Sequence, residues 1–327
     1  MRALVVEALQ PDYAGCLVKE IATPDPGPGE VRVRVRAGSV NFPDLLMTRG
    51  EYQHKPPLPF IPGLEMSGEV DALGEGVDGF RLGDAVVGGA RIGGFSEFAV
   101  TPAAGLRAKP ENLSFAQASA FGAAYITAYV ALVRRAHAQP GEWVLVHGAA
   151  GGVGLAAVDM AKALGCRVIA ASASDAKLAV VQAEYAPDEV INVTGGFREQ
   201  VKAITSGRGA DIIYDPVGGD VFDESTRCIA FDGRLLVVGF TSGRIPKISV
   251  NMPLIKGFSV MGVRAGEYGR QFPDKGRENQ QAIWAMAAEG RVRPRVHAEL
   301  RLDQWRAAFD LLANRQVIGK AVIRPDL

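Results

Sequence analysis

The sequence has few cysteines, no excess of positive or negative charge and no long apolar run. Its three cysteines, Cys16, Cys166 and Cys228, stand far apart and form no C-x-x-C pair. A structural zinc site and a disulfide framework are therefore not indicated. The chain has 36 basic and 36 acidic residues, so no whole-chain charge attracts it to nucleic acid or to anionic lipid.

The sequence also lacks signals for secretion and for membrane insertion. Glu7 follows a run of only four apolar residues, which is too short for the apolar region of a secretory signal. No apolar run elsewhere approaches the length needed to span a bilayer. We therefore expect a cytoplasmic protein that binds neither membrane nor nucleic acid.

The length and composition are typical of an ordinary globular protein. The 327 residues exceed the usual size of one domain and suggest two. Hydrophobic residues make up 48% and charged residues 22%, which argues against disorder. The 39 glycines are the one excess, and they cluster at particular points of the chain.

Residues 2 to 100 show short strand patterns separated by turn-rich breaks. In the segment Val31–Ala37, valine and arginine alternate strictly, which predicts a strand with valines toward a core and arginines toward solvent. Glycine-rich breaks follow at Gly74–Gly76 and Gly79–Asp84. The first third is therefore predicted to be a β-rich domain.

Strands and helices alternate after a long helical pattern over Ala116–Arg135. The predicted strands are Trp143–His147, Arg167–Ala171, Glu189–Val193, Asp211–Tyr214, Arg234–Val238 and Ser259–Val263, with helices at Gly152–Leu164, Asp175–Glu184, Phe197–Thr205 and Val221–Ile229. This spacing implies right-handed crossovers and a parallel sheet covered on both faces. Helices at Gln280–Glu289 and Leu302–Asn314 and a strand at Lys320–Ile323 are expected to return to the first domain.

The strand before residue 148 runs into a glycine-rich turn that opens a helix. Ala149 takes the first position of the G-x-G-x-x-G pattern, Gly151 the second and Gly154 the third. Such a turn aims backbone N–H groups and the positive end of a helix dipole at a pyrophosphate, so a dinucleotide site is predicted. The residues assigned to it here are Gly151, Gly152, Val153 and Gly154.

The end of the next strand favours NADPH over NADH. An acidic residue there usually binds the ribose 2′-OH and repels a 2′-phosphate. Ser172 stands at that point instead, and Ser174 and Lys177 can donate hydrogen bonds to the phosphate. Asp175 is acidic and close by, and we expect it to cap the following helix.

The order of these parts resembles the medium-chain dehydrogenase/reductase superfamily, and within it the zinc-independent quinone oxidoreductase branch that includes zeta-crystallin. The resemblance covers essentially the whole chain. Its carriers are Pro26–Val31, Asn41–Asp44, Gly50–Tyr52, Pro57–Glu65, Gly83–Asp84, Ala149–Gly154 and Asp215–Gly219.

The resemblance implies an α/β protein of two domains. A GroES-like, β-rich catalytic domain is expected over residues 1–122, completed by residues 266–327. A Rossmann domain, which is a doubly wound parallel sheet that binds NADP(H), is expected over residues 123–265.

Two positions separate this chain from the zinc alcohol dehydrogenases of the same superfamily. Those relatives carry a cysteine and a Gly-His-Glu segment that bind the catalytic metal, where this chain has Asn41 and Leu64. An amide and an aliphatic side chain cannot replace a thiolate and an imidazole around zinc, although Glu65 is present. No metal site is therefore expected.

Without a metal, the resemblance implies hydride transfer from NADPH to an acceptor that is already electrophilic, a quinone or an α,β-unsaturated carbonyl compound. The protein must orient the nicotinamide and stabilise negative charge on the acceptor oxygen. By their positions in similar enzymes, Asn41 is assigned to orientation and Tyr52 to donating a hydrogen bond or a proton. Proton supply from solvent, and a Tyr52 that merely packs near Pro56, are open alternatives.

Further cofactor contacts are assigned from the resemblance by position alone. They are Thr127, Asn192, Gly239, Phe240, Arg264 and Arg315. Several of them follow predicted strands, and strand ends are where ligands bind in open α/β sheets.

The resemblance also implies a homodimer, because relatives pair sheet edges such as Val260–Val263 between subunits. The predicted function is NADPH-dependent reduction of a quinone or enone. A second hypothesis is an NADPH-binding structural or regulatory protein of the zeta-crystallin type with little turnover. A third is an alcohol dehydrogenase whose metal site is not recognisable in the sequence.

Overall fold

The computed structural model describes residues 1–89 and 91–327, and they form two compact units. The first unit comprises Met1–Ala123 and Arg293–Leu327, and the second comprises Ala124–Val292. The first unit is therefore built from two separate stretches of chain. The return to it comes at Arg293, later than the expected residue 266.

The elements are numbered in chain order. The strands are β1 (Arg2–Val6), β2 (Cys16–Glu20), β3 (Glu30–Ser39), β4 (Glu65–Leu73), β5 (Ala85–Gly88), β6 (Phe98–Pro102), β7 (Leu106–Ala108), β8 (Trp143–His147), β9 (Arg167–Ser172), β10 (Glu189–Asn192), β11 (Ala210–Asp215), β12 (Ile229–Val237), β13 (Ser259–Gly262), β14 (Val296–Arg301) and β15 (Lys320–Arg324). The helices are α1 (Phe42–Thr48), α2 (Phe115–Ser119), α3 (Gly122–Tyr129), α4 (Gly152–Ala163), α5 (Asp175–Tyr185), α6 (Arg198–Ile204), α7 (Gly219–Ser225), α8 (Asn251–Lys256), α9 (Ala265–Gln271), α10 (Pro273–Ala288) and α11 (Trp305–Ala313).

The first unit contains a mixed sheet in the order β14-β15-β3-β4-β5-β7, with β6 also paired to β3. The predicted alternation of β3 is confirmed, because Val31, Val33 and Val35 are buried in one apolar cluster. The arginines between them are ion-paired as well as solvated, for example Arg32 with Asp71 at 2.7 Å. The C-terminal strand β15 pairs antiparallel with β3, so residues from both stretches of chain form one sheet.

The second unit contains a six-stranded sheet in the order β10-β9-β8-β11-β12-β13, in which every neighbouring pair is parallel. The predicted doubly wound parallel sheet is confirmed. Its strand order reverses between β8 and β11, and ligands bind at such a reversal, outside the carboxyl ends of the strands.

The helical pattern predicted over Ala116–Arg135 is broken in the structure. Helix α2 ends at Ser119, α3 begins at Gly122, and a π-helical segment covers Val130–Arg135. The break has a physical cause, because the Glu65 carboxylate accepts a hydrogen bond from the backbone N–H of Ala123. That bond satisfies one of the N–H groups left open at the start of a new helix.

Other boundaries also differ from the sequence prediction. Helix α7 ends at Ser225, short of the predicted Ile229, because Ile229 begins β12 and pairs with Ala210 of β11. Helix α10 begins at Pro273, seven residues before the predicted Gln280. Proline is favoured in the first turn of a helix, where its missing N–H costs no hydrogen bond.

Helix α10 belongs to the second unit. Its Ile283 and Ala287 are fully buried, and Arg134 donates hydrogen bonds to Asn279 at 2.6 Å and Glu278 at 2.7 Å. These contacts explain why residues 266–292 do not join the first unit. Within the described residues, no helix is both long enough and apolar enough to cross a bilayer.

Candidate functional site

The glycine turn after β8 leaves backbone donors open at the start of α4. Its N-cap is Gly151, which has no side chain to bond the first N–H groups of the helix. A Cβ placed on Gly154 would lie 2.1 Å from the carbonyl oxygen of Gly148, so only glycine permits this packing of helix on turn. The first helical N–H groups, those of Gly152, Val153 and Gly154, together with the helix dipole, form a cradle that fits an anionic phosphate.

The end of β9 carries the residues predicted to choose between the two dinucleotides. Ser172 ends β9 and is half-buried, and the hydroxyl of Ser174 caps α5 by accepting a hydrogen bond from the N–H of Lys177 at 3.4 Å. Partial burial lowers the pKa of the Lys177 ammonium. Ser174 and Lys177 therefore lie together at the first turn of α5, and Ser172 precedes them at the end of β9.

Asp175 does not cap α5, contrary to the sequence prediction. Ser174 takes that role, and the Asp175 carboxylate accepts a hydrogen bond from Asn192 Nδ2 at 2.7 Å. Asn192 ends β10 and pairs in register with Ser172, and its Oδ1 accepts from the N–H of Thr194. The Asp175 carboxylate is thus held toward the end of β10.

The other residues assigned to cofactor contacts divide between the two units. Gly239 and Phe240 follow β12, Arg264 precedes α9, and the half-buried Thr127 lies in α3, all in the second unit. Arg315 is exposed after α11 in the first unit.

His147 ends β8 and is buried. Its Nε2 lies 2.9 Å from the Ser225 hydroxyl, and its ring packs edge-on against Phe197. Burial lowers its pKa to about 3. The imidazole is therefore neutral at physiological pH.

In the first unit, Asn41 has both ends of its side-chain amide bonded. It is the N-cap residue of α1. Its Nδ2 donates to the backbone oxygen of Ser39 at 3.1 Å and to Glu65 Oε2 at 3.0 Å. Its Oδ1 accepts from Lys320 Nζ at 2.5 Å.

Lys320 and Glu65 complete a buried polar cluster around Asn41. Lys320 begins β15 and is 7% exposed, and its Nζ lies 3.7 Å from Glu65 Oε2. Burial lowers the pKa of Lys320, while the negative charges of Glu65 and Asp44 oppose that shift. The cluster therefore places one ammonium between carboxylates in a region of low dielectric.

Asp44 lies beneath this cluster and is fully buried. Its carboxylate accepts hydrogen bonds from the backbone N–H groups of Asn41, Gly63 and Leu64 at 2.8, 3.0 and 3.2 Å. Burial raises its pKa to about 7, against the lowering effect of those hydrogen bonds. Asp44 thus joins the start of α1 to the turn before β4.

Tyr52 follows α1 and is half-buried. Its ring packs against the core cluster that contains Leu45, Met47 and Phe60. Among the residues that the structure describes, none forms a hydrogen bond with the Tyr52 hydroxyl. The phenol ring is therefore packed, and its hydroxyl can donate to a ligand.

Sequence reasoning missed Lys320 and Asp44 as members of the candidate site. Asp44 had a local signal, because an acidic residue three positions after an asparagine is typical of a helix start. Lys320 had none beyond its place at the start of an apolar strand. In the described part of the chain, no group of three or more His, Cys, Asp or Glu residues is arranged to hold a metal ion.

Comparison with known proteins places both units in described families. The alcohol dehydrogenase GroES-like domain matches residues 27–111, and the zinc-binding dehydrogenase family matches residues 152–279. A quinone oxidoreductase-like protein 2 homolog of Nematostella vectensis is 39% identical over 307 residues, which are 93% of this chain and 84% of that protein.

Two solved structures are similar over nearly the whole chain. A probable oxidoreductase from Mycobacterium abscessus is 37% identical with a TM-score of 0.89, and the match covers 99% of both chains. An Escherichia coli quinone oxidoreductase complexed with NADPH is 28% identical with a TM-score of 0.87, and the match covers 99% of this chain and 100% of that one.

The first testable prediction concerns Asp44. Its folded pKa of about 7 lies above the value of about 4 expected in the unfolded chain. Such a group stabilises the fold below the unfolded pKa, and that contribution is lost as pH rises through the folded pKa. The free energy of unfolding of the wild type, relative to that of Asp44→Asn, should fall by about 3 kcal/mol between pH ~4 and pH ~7.

Urea unfolding of both proteins across this pH range measures the difference. The substitution also alters the hydrogen bond with Asn41, which adds an offset that does not depend on pH. A difference that stays constant from acidic to neutral pH would contradict the prediction.

Proposed function

Because the chain belongs to the quinone oxidoreductase-like branch of the medium-chain dehydrogenase/reductase superfamily, we propose that it is an NADPH-dependent reductase of quinones or α,β-unsaturated carbonyl compounds that works without a metal. The observation that carries this proposal is the bonding of Asn41 to the Lys320 ammonium. That contact lies where zinc-dependent relatives bind a cation.

The residues around Asn41 suit the ammonium group of Lys320 better than a metal ion. Asn41 Oδ1 already accepts from Lys320, and both Nδ2 donors of the amide point at oxygen atoms. Leu64 offers no donor atom. A metal ion beside Glu65 would also meet the positive charge of Lys320, which lies 3.7 Å from that carboxylate. Repulsion between such a metal ion and the Lys320 ammonium would oppose metal binding.

The second unit supplies a site whose residues fit NADPH. The open N–H groups of Gly152, Val153 and Gly154 would hold the pyrophosphate, with Gly151 allowing its approach. Three further side chains would hold the 2′-phosphate, namely Ser172, Ser174 and Lys177. The other contacts proposed in this unit are Thr127, Asn192, Gly239, Phe240 and Arg264, and Arg315 of the first unit is proposed as a further contact.

NADPH, when bound, supplies a hydride from its nicotinamide ring. The acceptor gains that hydride and one proton, so a quinone becomes a hydroquinone and an enone becomes a saturated carbonyl compound. Tyr52 would donate a hydrogen bond to the acceptor oxygen as negative charge grows there. The proton then comes from the Tyr52 hydroxyl or from solvent.

The Asn41 side chain can orient the cofactor only as a hydrogen-bond acceptor. Its two Nδ2 hydrogens are used within the protein, whereas Oδ1 keeps a second lone pair beside its bond from Lys320. We therefore assign Asn41 as a hydrogen-bond acceptor toward the nicotinamide half of the cofactor.

The described chain also supports the proposed homodimer and cytoplasmic location. Strand β13 is the edge of the parallel sheet and is largely exposed, although such strands are normally covered on both faces. Nearby Val250, Leu254 and Ile255 are 85%, 81% and 72% exposed. A second copy would cover this edge and these side chains.

The three buried free thiols suit a reducing compartment, which supports the proposed cytoplasmic location.

The second prediction is the reaction itself. Purified protein should oxidise NADPH faster than NADH in the presence of a quinone or an enone, and its activity should not depend on added zinc. Absorbance of the nicotinamide, followed across a panel of quinones, enones and enoyl thioesters, measures this. NADPH binding with no oxidation across the panel would favour the structural or regulatory hypothesis. Stoichiometric zinc in the purified protein would favour an alcohol dehydrogenase.

The third prediction concerns dinucleotide choice. Ser172→Asp places a carboxylate where the 2′-phosphate is proposed to bind, so repulsion should weaken NADPH binding by about tenfold or more while NADH binding changes little. Fluorescence titration with each dinucleotide measures the dissociation constants. Ser172→Ala is the matched control, because it removes the hydroxyl without adding charge. Equal weakening of NADPH and NADH by Ser172→Asp would show that this residue does not read the phosphate.

The fourth prediction concerns the dimer. The double variant Leu254→Glu/Ile255→Glu puts two charges on the exposed face of α8. It should shift the protein to a monomer, because burying unpaired charges in an apolar interface costs free energy. Light scattering after size-exclusion chromatography measures the molar mass. The control is Leu82→Glu, at a residue that is 67% exposed in the first unit. A wild-type monomer, or a double variant that still dimerises, would refute this interface.

A further inference from the structure

Lys320 reaches Asn41 through the pairing of the C-terminal strand with β3. In that register Val322 lies opposite Ser39, and the N–H of Val40 donates to the backbone oxygen of Ala321 at 2.9 Å. The start of β15 is therefore fixed beside the residues that lead into α1. Lys320 meets Asn41 across a sequence separation of 279 residues.

The Lys320 side chain is 7% exposed at the start of a strand whose next residues are apolar. The next three residues of β15, Ala321, Val322 and Ile323, are buried and apolar. Burying a charged group costs free energy even when it is paired, and replacing such a pair by apolar groups is often neutral or stabilising. The cost of burying this ammonium is therefore offset only by its two partners, Asn41 and Glu65.

The charges around Asn41 determine which way its amide points. Lys320 Nζ faces Oδ1 at 2.5 Å, and Glu65 Oε2 faces Nδ2 at 3.0 Å. Rotating the amide by half a turn would set its NH2 group against the ammonium and its oxygen against the carboxylate. Both contacts would then be repulsive, so this pair of charges holds one orientation.

We propose that Lys320 is a positioning residue for hydride transfer, which holds the Asn41 amide with its oxygen available to the nicotinamide half of the cofactor. The inference rests on the proposed function and deepens it. Glu65 supports the same orientation from the other end of the amide. Lys320 donates to Asn41 Oδ1, which is the oxygen that would accept a hydrogen bond from the cofactor. A charged donor such as this ammonium fixes the position of Oδ1 more tightly than a neutral donor would.

The fifth prediction compares Lys320→Met with the wild type. Methionine is unbranched and similar in length, so it can fill the site without charge. We expect kcat to fall by about tenfold or more while the dissociation constant of NADPH changes by less than about threefold, because an interaction that matters mainly in the transition state is lost. The control is Arg324→Met on the same strand, whose side chain pairs with Asp326 and Glu299. It should keep wild-type kcat.

A readout that does not depend on turnover follows the Asn41 amide directly. Its side-chain NMR signals, identified by their loss in Asn41→Ala, should be sharp in the wild type and should shift when NADP+ is added. In Lys320→Met they should move or broaden, because the free energy difference between the two amide orientations is reduced. Should the wild type reduce no acceptor, the proposed function fails, and these signals still decide whether Lys320 positions Asn41.

Chemical rescue separates a positioning role from a structural one. Lys320→Ala leaves space for ethylammonium, which should restore part of the lost kcat, whereas the same ion should not affect the wild type or Lys320→Met. This variant also decides the question if Lys320→Met does not fold. A folded Lys320→Met with kcat within about twofold of the wild type and unchanged Asn41 signals would overturn the proposal, as would a folded Lys320→Ala that ethylammonium does not rescue.

Discussion

The bonds of the Glu65 carboxylate are the constraint on which the candidate active site depends. One oxygen accepts from the N–H of Ala123 and so begins α3, while the other accepts from Asn41 and faces Lys320. Residues far apart in the sequence are thereby held at one buried point. A carboxylate buried at such a point needs all of these partners, because an unpaired charge in the interior is far more costly than a paired one.

The two units hold their functional groups in different ways. In the second unit, the proposed phosphate cradle consists of backbone N–H groups and a helix dipole, and its packing requires glycine at residue 154, where a Cβ would lie 2.1 Å from the carbonyl oxygen of Gly148. In the first unit, a network of charged and amide side chains fixes Asn41. Backbone geometry suits a ligand part common to all dinucleotides, whereas a side-chain network can be specific to one reaction.

Local patterns predicted most of the fold, and the features that they missed depend on distant residues. The alternation in β3 and the strand-turn-helix at residues 143–163 follow from spacing within a few residues, so the sequence shows them directly. The break after α2 depends on Glu65, and the orientation of Asn41 depends on Lys320. Neither contact leaves a periodic signal. The roles of the remaining site residues rest on the family resemblance and stay predictions.

The discontinuous first unit has a consequence for biosynthesis. The ribosome makes residues 293–327 only after the entire second unit, so β3 waits through that interval without β15. Until then Glu65 and Asp44 lack the lysine that faces them, and the nascent sheet has an open edge. The second unit can therefore fold before residues 293–327 are made, whereas the sheet of the first unit is completed only when β15 pairs with β3.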